Sequence, residues 1–371
     1  MPSQLFSPVQ LGSLALENRV VISPMCQYSA VDGSATDWHL IHLGNLSLSG
    51  AALLMTEATA VEAVGRITPG DLGLYSDDNE AALRRTLEGI RRNSEIPIGI
   101  QIAHAGRKAS SAAPWNGGQL VPAGEGGWRP LGPSAVPIHP GEPAPDVLDH
   151  AAIERIRDAF VATARRAIRL GFDAAELHFA HGYLVHSFLS PISNRRDDRY
   201  GGSFENRTRL ALEVFDAVRA AWPHDRPLGV RISSSDWIEG GWNVEQSVEL
   251  VHMLKQRGCD WLDASSGGIS PDQKITIGPG YQVPFARTIR KETGITTLAV
   301  GLITEPRQAE EIVAAGDADL IGLARTVLWD PRWPWHAAAV LGGQVRAAPQ
   351  YWRCEPRGVR DVFRDTEFGM R

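Results

Sequence analysis

Short apolar, β-branched runs alternate with helical stretches along almost the whole chain, and this alternation limits the possible folds more than any other feature. Residues 19–25, 52–59, 98–104, 173–179, 228–233, 261–265, 297–300 and 319–323 read as eight strands. Between them, residues 37–49, 79–92, 149–170, 204–222, 244–257, 282–293 and 306–315 carry helical periodicity. Strands that alternate with helices return in parallel register, and eight such units suit a closed (β/α)8 TIM barrel of the α/β class better than an open sheet. The expectation is one barrel domain over residues 1–371, with a C-terminal tail from about residue 341.

The interval between the third and fourth strands is far longer than the others. Its middle, residues 109–146, holds Trp115-Asn116-Gly117-Gly118, Gly126-Gly127-Trp128 and eight prolines. That composition prevents a long helix and predicts a loop or hairpin excursion folded over the barrel mouth.

Composition excludes several other classes. Apolar residues make up 43% of the 371 and charged residues 22%, as in folded globular chains. The net charge is −6 with no dense Lys/Arg cluster, so no nucleic-acid partner is expected. The start, Met1-Pro2-Ser3-Gln4-Leu5-Phe6, lacks the basic and apolar regions of a signal peptide, and no stretch is apolar enough to span a membrane. A cytoplasmic protein without a membrane partner is the reading. Cys26, Cys259 and Cys354 stand far apart with no CxxC, which indicates neither a disulfide framework nor a cysteine-bound cluster.

In a barrel the reactive groups sit at the C-terminal ends of the strands. The first strand ends in Ser23-Pro24-Met25-Cys26-Gln27-Tyr28, which places a thiol and a phenol toward the mouth. A single cysteine there reads by itself as an inert core residue. The fourth ends in Glu176-Leu177-His178-Phe179-Ala180-His181-Gly182-Tyr183. If the chain leaves the sheet near Phe179, His178 and His181 can converge and donate to one ligand oxygen, while the Tyr183 hydroxyl can protonate a carbanion or enolate. Satisfied core histidines are the structural alternative. A metal reading of the pair lacks a third ligand at a matching strand end, so no metal is expected. Gln101 and Arg231 lie within apolar strands, where they bind either the edge of a flat electron-accepting ring or, for Arg231, a buried acid such as Glu57 or Glu176. Gly301 and Gly322 to Arg325 close the seventh and eighth strands, where barrels often bind phosphate.

Together these residues resemble the old yellow enzyme family of NADH:flavin oxidoreductases, in the subgroup of xenobiotic reductases and thermophilic-like bacterial ene-reductases. The likeness covers nearly the whole chain. It rests on Ser23 to Tyr28, on Glu57-Ala58-Thr59-Ala60-Val61, on Gln101-Ile102-Ala103-His104-Ala105-Gly106-Arg107-Lys108 and on the His178 to Tyr183 run. It rests above all on Ser193-Asn194-Arg195-Arg196-Asp197-Asp198-Arg199-Tyr200-Gly201-Gly202-Ser203-Phe204-Glu205-Asn206-Arg207, which read alone is only a Gly-Gly turn leading into a helix.

The resemblance implies an FMN-dependent NADPH dehydrogenase of the ene-reductase kind, with FMN as cofactor and NADPH or NADH as hydride donor. Ser23, Pro24, Met25, Cys26, Ala58, Gln101 and Arg231 would line the flavin ring, and Gly301, Ala324 and Arg325 would lie at its phosphate. Relatives often carry glycine where Ala324 stands. His178 and His181 would hold the carbonyl or nitro oxygen of an unsaturated substrate, Tyr183 would protonate its α-carbon, and Tyr28 would border it, in a ping-pong cycle. The tail motif Gln350-Tyr351-Trp352-Arg353 implies that Arg353 reaches a neighbouring subunit's site in a homodimer or homotetramer. Other readings are a reductase acting mainly on nitro compounds, quinones or other xenobiotics, an iron–sulfur dienoyl-CoA reductase relative, a metal-dependent hydrolase, and a flavin carrier without turnover.

Overall fold

A computed structural model describes residues 2–356, 358–359 and 361–367. Eight parallel strands close into a barrel: β1 (Val20–Ile22), β2 (Leu53–Ala60), β3 (Ile98–Ala103), β4 (Ala174–Phe179), β5 (Leu228–Ser233), β6 (Trp261–Ser265), β7 (Thr296–Ala299) and β8 (Leu320–Leu323). Each pairs with its neighbours in chain order, and β8 closes on β1 with Ile321 opposite Val20 and Leu323 opposite Ile22. This is the expected (β/α)8 TIM barrel.

Side-chain caps set where several of the outer helices begin. Ser76, Asp149, Ser203 and Asn243 each accept an N–H from the first turn of the helices Asp77–Arg91, His150–Arg169, Phe204–Ala221 and Val244–Gln256. The N-terminal mouth of the barrel is plugged. Val21, Leu53, Met55, Ala174, Trp261, Leu298 and Leu320 pack with Leu11 and Leu16 of an antiparallel hairpin, Val9–Leu11 with Leu14–Leu16. The sequence reading lacks this hairpin because three-residue strands carry too little periodicity. Chemistry is thereby left to the opposite, C-terminal mouth.

The excursion is mainly loop, one of the two expected forms. Ser111 and Leu120 make a single antiparallel bridge across the turn Pro114–Asn116, the two short strands Leu131–Gly132 and Asp146–Val147 pair in parallel, and turns such as Ala123–Glu125 join them. Eight prolines without N–H groups leave too few donors for a long antiparallel ladder. The Ser193 to Arg207 motif ties it down: Arg196 Nη1 donates to Pro133 O at 3.0 Å and Leu148 O at 2.7 Å, and the Arg195 N–H donates to Ser134 Oγ.

Three helices absent from the sequence reading are Leu184–Leu189, Arg325–Trp329 and Trp333–Leu341. After the last, the tail turns at Pro349–Cys354 and folds back, with the Val345 N–H donating to Val362 O at 2.8 Å and Phe363 packed on Trp335. Residue 1 and, in the tail, residues 357, 360 and 368–371 lie outside the described residues. Among the described residues no helix is long and apolar enough to cross a membrane.

Candidate active site

β4 ends at Phe179, and the chain then makes a turn few sequences allow. His181 and Gly182 are both left-handed, with φ of 60° and 74°. A Cβ at Gly182 would lie 2.1 Å from Gly268 O, so glycine is required by conformation and by space. The turn swings His181 back onto His178, with ring centroids 4.9 Å apart, and sets Tyr183 5.0 Å from the His178 ring. The three side chains are thereby brought side by side.

Hydrogen bonds define their protonation. His178 Nδ1 accepts the Ala180 N–H at 3.3 Å, so its proton sits on Nε2, which faces His181 Nδ1 at 3.2 Å. His181 then donates from Nε2 to Ser265 Oγ at 2.7 Å. Burial, reinforced by the nearby Arg231 charge, holds both imidazoles neutral. The rings therefore converge on each other rather than on a shared ligand space, and an incoming oxygen gains a donor by replacing the link between them. Burial also keeps the proton on the Tyr183 phenol well above the usual tyrosine range. No hydrogen bond to its hydroxyl is present among the described residues.

Arg231 on β5 stands in register between His178 on β4 and Asp263 on β6. Its Nε lies 3.0 Å from Asp263 Oδ2, so its buried acid is Asp263 and neither Glu57 nor Glu176. Glu57 instead accepts the Gln27 N–H and lies 3.3 Å from His39 Nε2. Glu176 accepts from Gln101 Nε2 at 2.7 Å and from the Trp261 indole. Burial pushes the Asp263 carboxyl up, against the pull of Arg231, and raises Glu176 as well.

At the end of β1, Ser23 is buried and its hydroxyl has no hydrogen-bond partner. Pro24, Met25, Cys26 and Tyr28 are partly exposed. Burial raises the Cys26 thiol, which disfavours a thiolate nucleophile. Tyr28 is left-handed, with φ of 51°, and meets the edge of Trp115 from the excursion at 5.6 Å. Ala58 stands opposite Gln101 across β2 and β3. After β7, Gly301 adopts φ of 109°, and after β8, Ala324 has a negative φ of −119°, so no left-handed backbone calls for glycine there. Arg325 follows it and is exposed. Arg353 is exposed on the tail turn, and no contact joins it to the other site residues among the described residues.

Lys108 was not among the expected site residues. Its Nζ donates to His181 O at 2.9 Å and Gly268 O at 3.2 Å and stands 5.3 Å above the Tyr183 ring. Its place after His104-Ala105-Gly106-Arg107, at the end of β3, was the available signal. Among the described residues no three His, Cys, Asp or Glu side chains gather as a metal site.

A barrel that gathers neutral imidazoles, a protonated phenol and a guanidinium at its C-terminal mouth belongs with the oxidoreductase barrels. Residues 4–342 match the NADH:flavin oxidoreductase / NADH oxidase family. An NADPH dehydrogenase from Geobacillus sp. (strain WCH70) is 46% identical over 95% of this chain and 99% of its own length. The solved structure of morphinone reductase is 27% identical, with a TM-score of 0.76 over 94% of this chain and 92% of that one. A 2-naphthoyl-CoA reductase structure is 25% identical with a TM-score of 0.81 over 93% of this chain, which spans 54% of that protein's length. The chain belongs to this family: it is an FMN-linked NADPH/NADH oxidoreductase of the old yellow enzyme type.

The residues present fit FMN. The Ser23 hydroxyl is an orphaned buried polar group, and the buried Arg231 Nε faces Asp263 as a charge without making a hydrogen bond. A Cβ at Gly322 would crowd Ser23 Oγ at 2.6 Å, so glycine there keeps that hydroxyl unobstructed.

Proposed function

We propose that the chain is an ene-reductase, reducing the C=C bond of α,β-unsaturated carbonyl or nitro compounds with electrons from NADPH or NADH, in one FMN-binding barrel domain spanning residues 1–371. The observation that carries this reading is the convergence of His178, His181 and Tyr183 beside Arg231. Ser23, Pro24, Met25, Cys26, Ala58, Gln101 and Arg231 would hold the flavin ring, and Gly301, Ala324 and Arg325 its phosphate. The chemistry supplied by bound FMN is two-electron transfer, with hydride accepted from the nicotinamide and delivered to the β-carbon of the alkene.

The chain's own residues do the rest. Arg231 would supply the positive charge that favours an electron-rich ring at this end of the barrel. The substrate oxygen takes the proton-bearing His178 Nε2 in place of His181 Nδ1, and His181 turns its own donor toward the same oxygen. Both rings are neutral, so they polarise the conjugated system as donors without giving up a proton. Tyr183 keeps its phenolic proton until the α-carbon becomes basic enough to take it, and that transfer completes the addition. Cys26, held as a thiol, would border the ring without attacking, and Tyr28 would flank the substrate. One mouth serves the nicotinamide and the substrate in turn, which gives ping-pong order.

Arg353 completes the site of a neighbouring copy in this reading, in a homodimer or homotetramer. Large apolar side chains left in water, Trp329 at 92% exposure and Ile41 at 65%, support such an assembly. The reaction is placed in the cytoplasm, where reduced nicotinamide is available. Product analysis tests the reading. 2-Cyclohexenone with NADPH gives cyclohexanone, the saturated ketone. The allylic alcohol, from reduction at the carbonyl, overturns it.

A further inference from the structure

His186 and Asp236 form a fully buried pair that the reaction described above does not use. His186 lies in the helix Leu184–Leu189, one turn after the His181–Gly182 bend. Its Nδ1 accepts the Gly182 N–H at 2.8 Å. An amide N–H only donates, so Nδ1 is bare and the proton sits on Nε2, 2.9 Å from Asp236 Oδ1. The second carboxylate oxygen accepts the Ser190 hydroxyl at 2.6 Å and the Trp242 N–H at 2.7 Å. Burial works against the charge on Asp236, but these hydrogen bonds outweigh it and hold the carboxyl below its usual range.

The imidazole thus bridges a fixed carboxylate and one particular peptide. That peptide joins the two left-handed residues that aim the site. Its carbonyl, His181 O, accepts from Lys108, and the peptides on either side are held as specifically: the His181 N–H donates to Ser233 Oγ, and Gly182 O accepts the Ser187 hydroxyl at 2.9 Å. Packing alone would be met by a leucine or phenylalanine at His186. A ring with an acceptor at one end and a donor at the other is required only if the Gly182 peptide must hold a set direction.

We infer that His186 is a positioning residue, oriented by Asp236, which fixes the Gly182 peptide and through it the directions of the His181 imidazole and the Tyr183 phenol. This rests on the reading that those two side chains act on the substrate. The relation is that of a side chain oriented by a buried acid, used here to aim a backbone turn rather than to move a proton.

The test uses the FMN-loaded full chain and its His186→Leu, His186→Asn and Asp236→Asn variants, with Tyr183→Phe run in parallel. Stopped-flow absorbance follows reduction by NADPH and reoxidation by 2-cyclohexenone separately, and titration with 4-hydroxybenzaldehyde reads the geometry of the donors. His186→Leu is expected to keep its FMN, to slow reoxidation about tenfold or more with a much smaller effect on reduction, and to weaken the phenol about tenfold. His186→Asn retains an acceptor for Gly182 and recovers most of the loss. If His186→Leu fails to fold, Asp236→Asn carries the test with the same split between half-reactions. Equal slowing of both half-reactions, unchanged phenol binding, or no recovery in His186→Asn overturns the inference. If Tyr183→Phe leaves reoxidation intact, the substrate reading itself falls and the inference with it. If Tyr183→Phe slows reoxidation and the His186 and Asp236 variants do not, only the inference falls.

Discussion

His178 Nε2 lies 3.2 Å from His181 Nδ1, and the hydrogen bond between them runs from the first ring to the second. The pair is neutral and hydrogen-bonded before any ligand arrives, so a ligand oxygen takes the His178 donor by replacing this link and gains the second when His181 turns from Ser265. Replacing both residues with alanine is expected to raise the dissociation constant of a phenolic ligand by about tenfold to a hundredfold, the value of one or two hydrogen bonds to a polar oxygen. A titration followed by flavin absorbance measures it. An unchanged constant rules out the anchoring role.

Tyr183 presents a phenol that burial holds protonated, with no competing hydrogen bond among the described residues. Tyr183→Phe is expected to leave reduction by NADPH within a fewfold of the parent and to slow reoxidation by an enone about a hundredfold, in line with loss of one general acid. Rapid-mixing measurements of each half-reaction decide it. Equal loss in both would contradict proton donation.

Asp71 lies with Tyr183 along a small buried cleft near the barrel mouth. Burial, with the Glu57 charge behind it, pushes its carboxyl up to about 7 despite hydrogen bonds from Thr68 and Ile67. A folded-state pKa above the unfolded one means that the folded chain binds the extra proton between the two values. The stabilisation is complete below about pH 4 and is lost as the pH climbs through about 7. Relative to Asp71→Asn, the parent is expected to lose about 2–3 kcal/mol between about pH 5 and about pH 8. Thermal melts across that range check it, and a difference that does not vary with pH refutes it.

The barrel was legible because each strand is a short, mainly apolar run, largely buried on both faces, and several of the helices between them carry clear caps. The hairpin under the barrel and the short helix Arg325–Trp329 were not, since neither is long enough to show a period. At the site, residue types and strand ends pointed to His178, His181, Tyr183 and Arg231. Their partners were a different matter. Asp263 faces Arg231 only through the register of β5 on β6, and Lys108 reaches His181 O only through the fold of the β3 loop. Such pairings depend on register and loop paths that residue types do not encode locally. The parallel pairing inside the excursion was likewise invisible, because proline and glycine counts give the absence of a helix and not the direction of the strands.

The central claim, that this barrel passes electrons from a nicotinamide to an activated alkene through FMN, is tested most directly by one anaerobic double-mixing experiment. The purified protein, loaded with FMN, is mixed first with a single equivalent of NADPH and then with 2-cyclohexenone while flavin absorbance is recorded. The account predicts a yellow protein that bleaches in the first phase and regains its full absorbance in the second, without oxygen. A chain that takes up no FMN, or a reduced flavin that the enone leaves bleached, would contradict it.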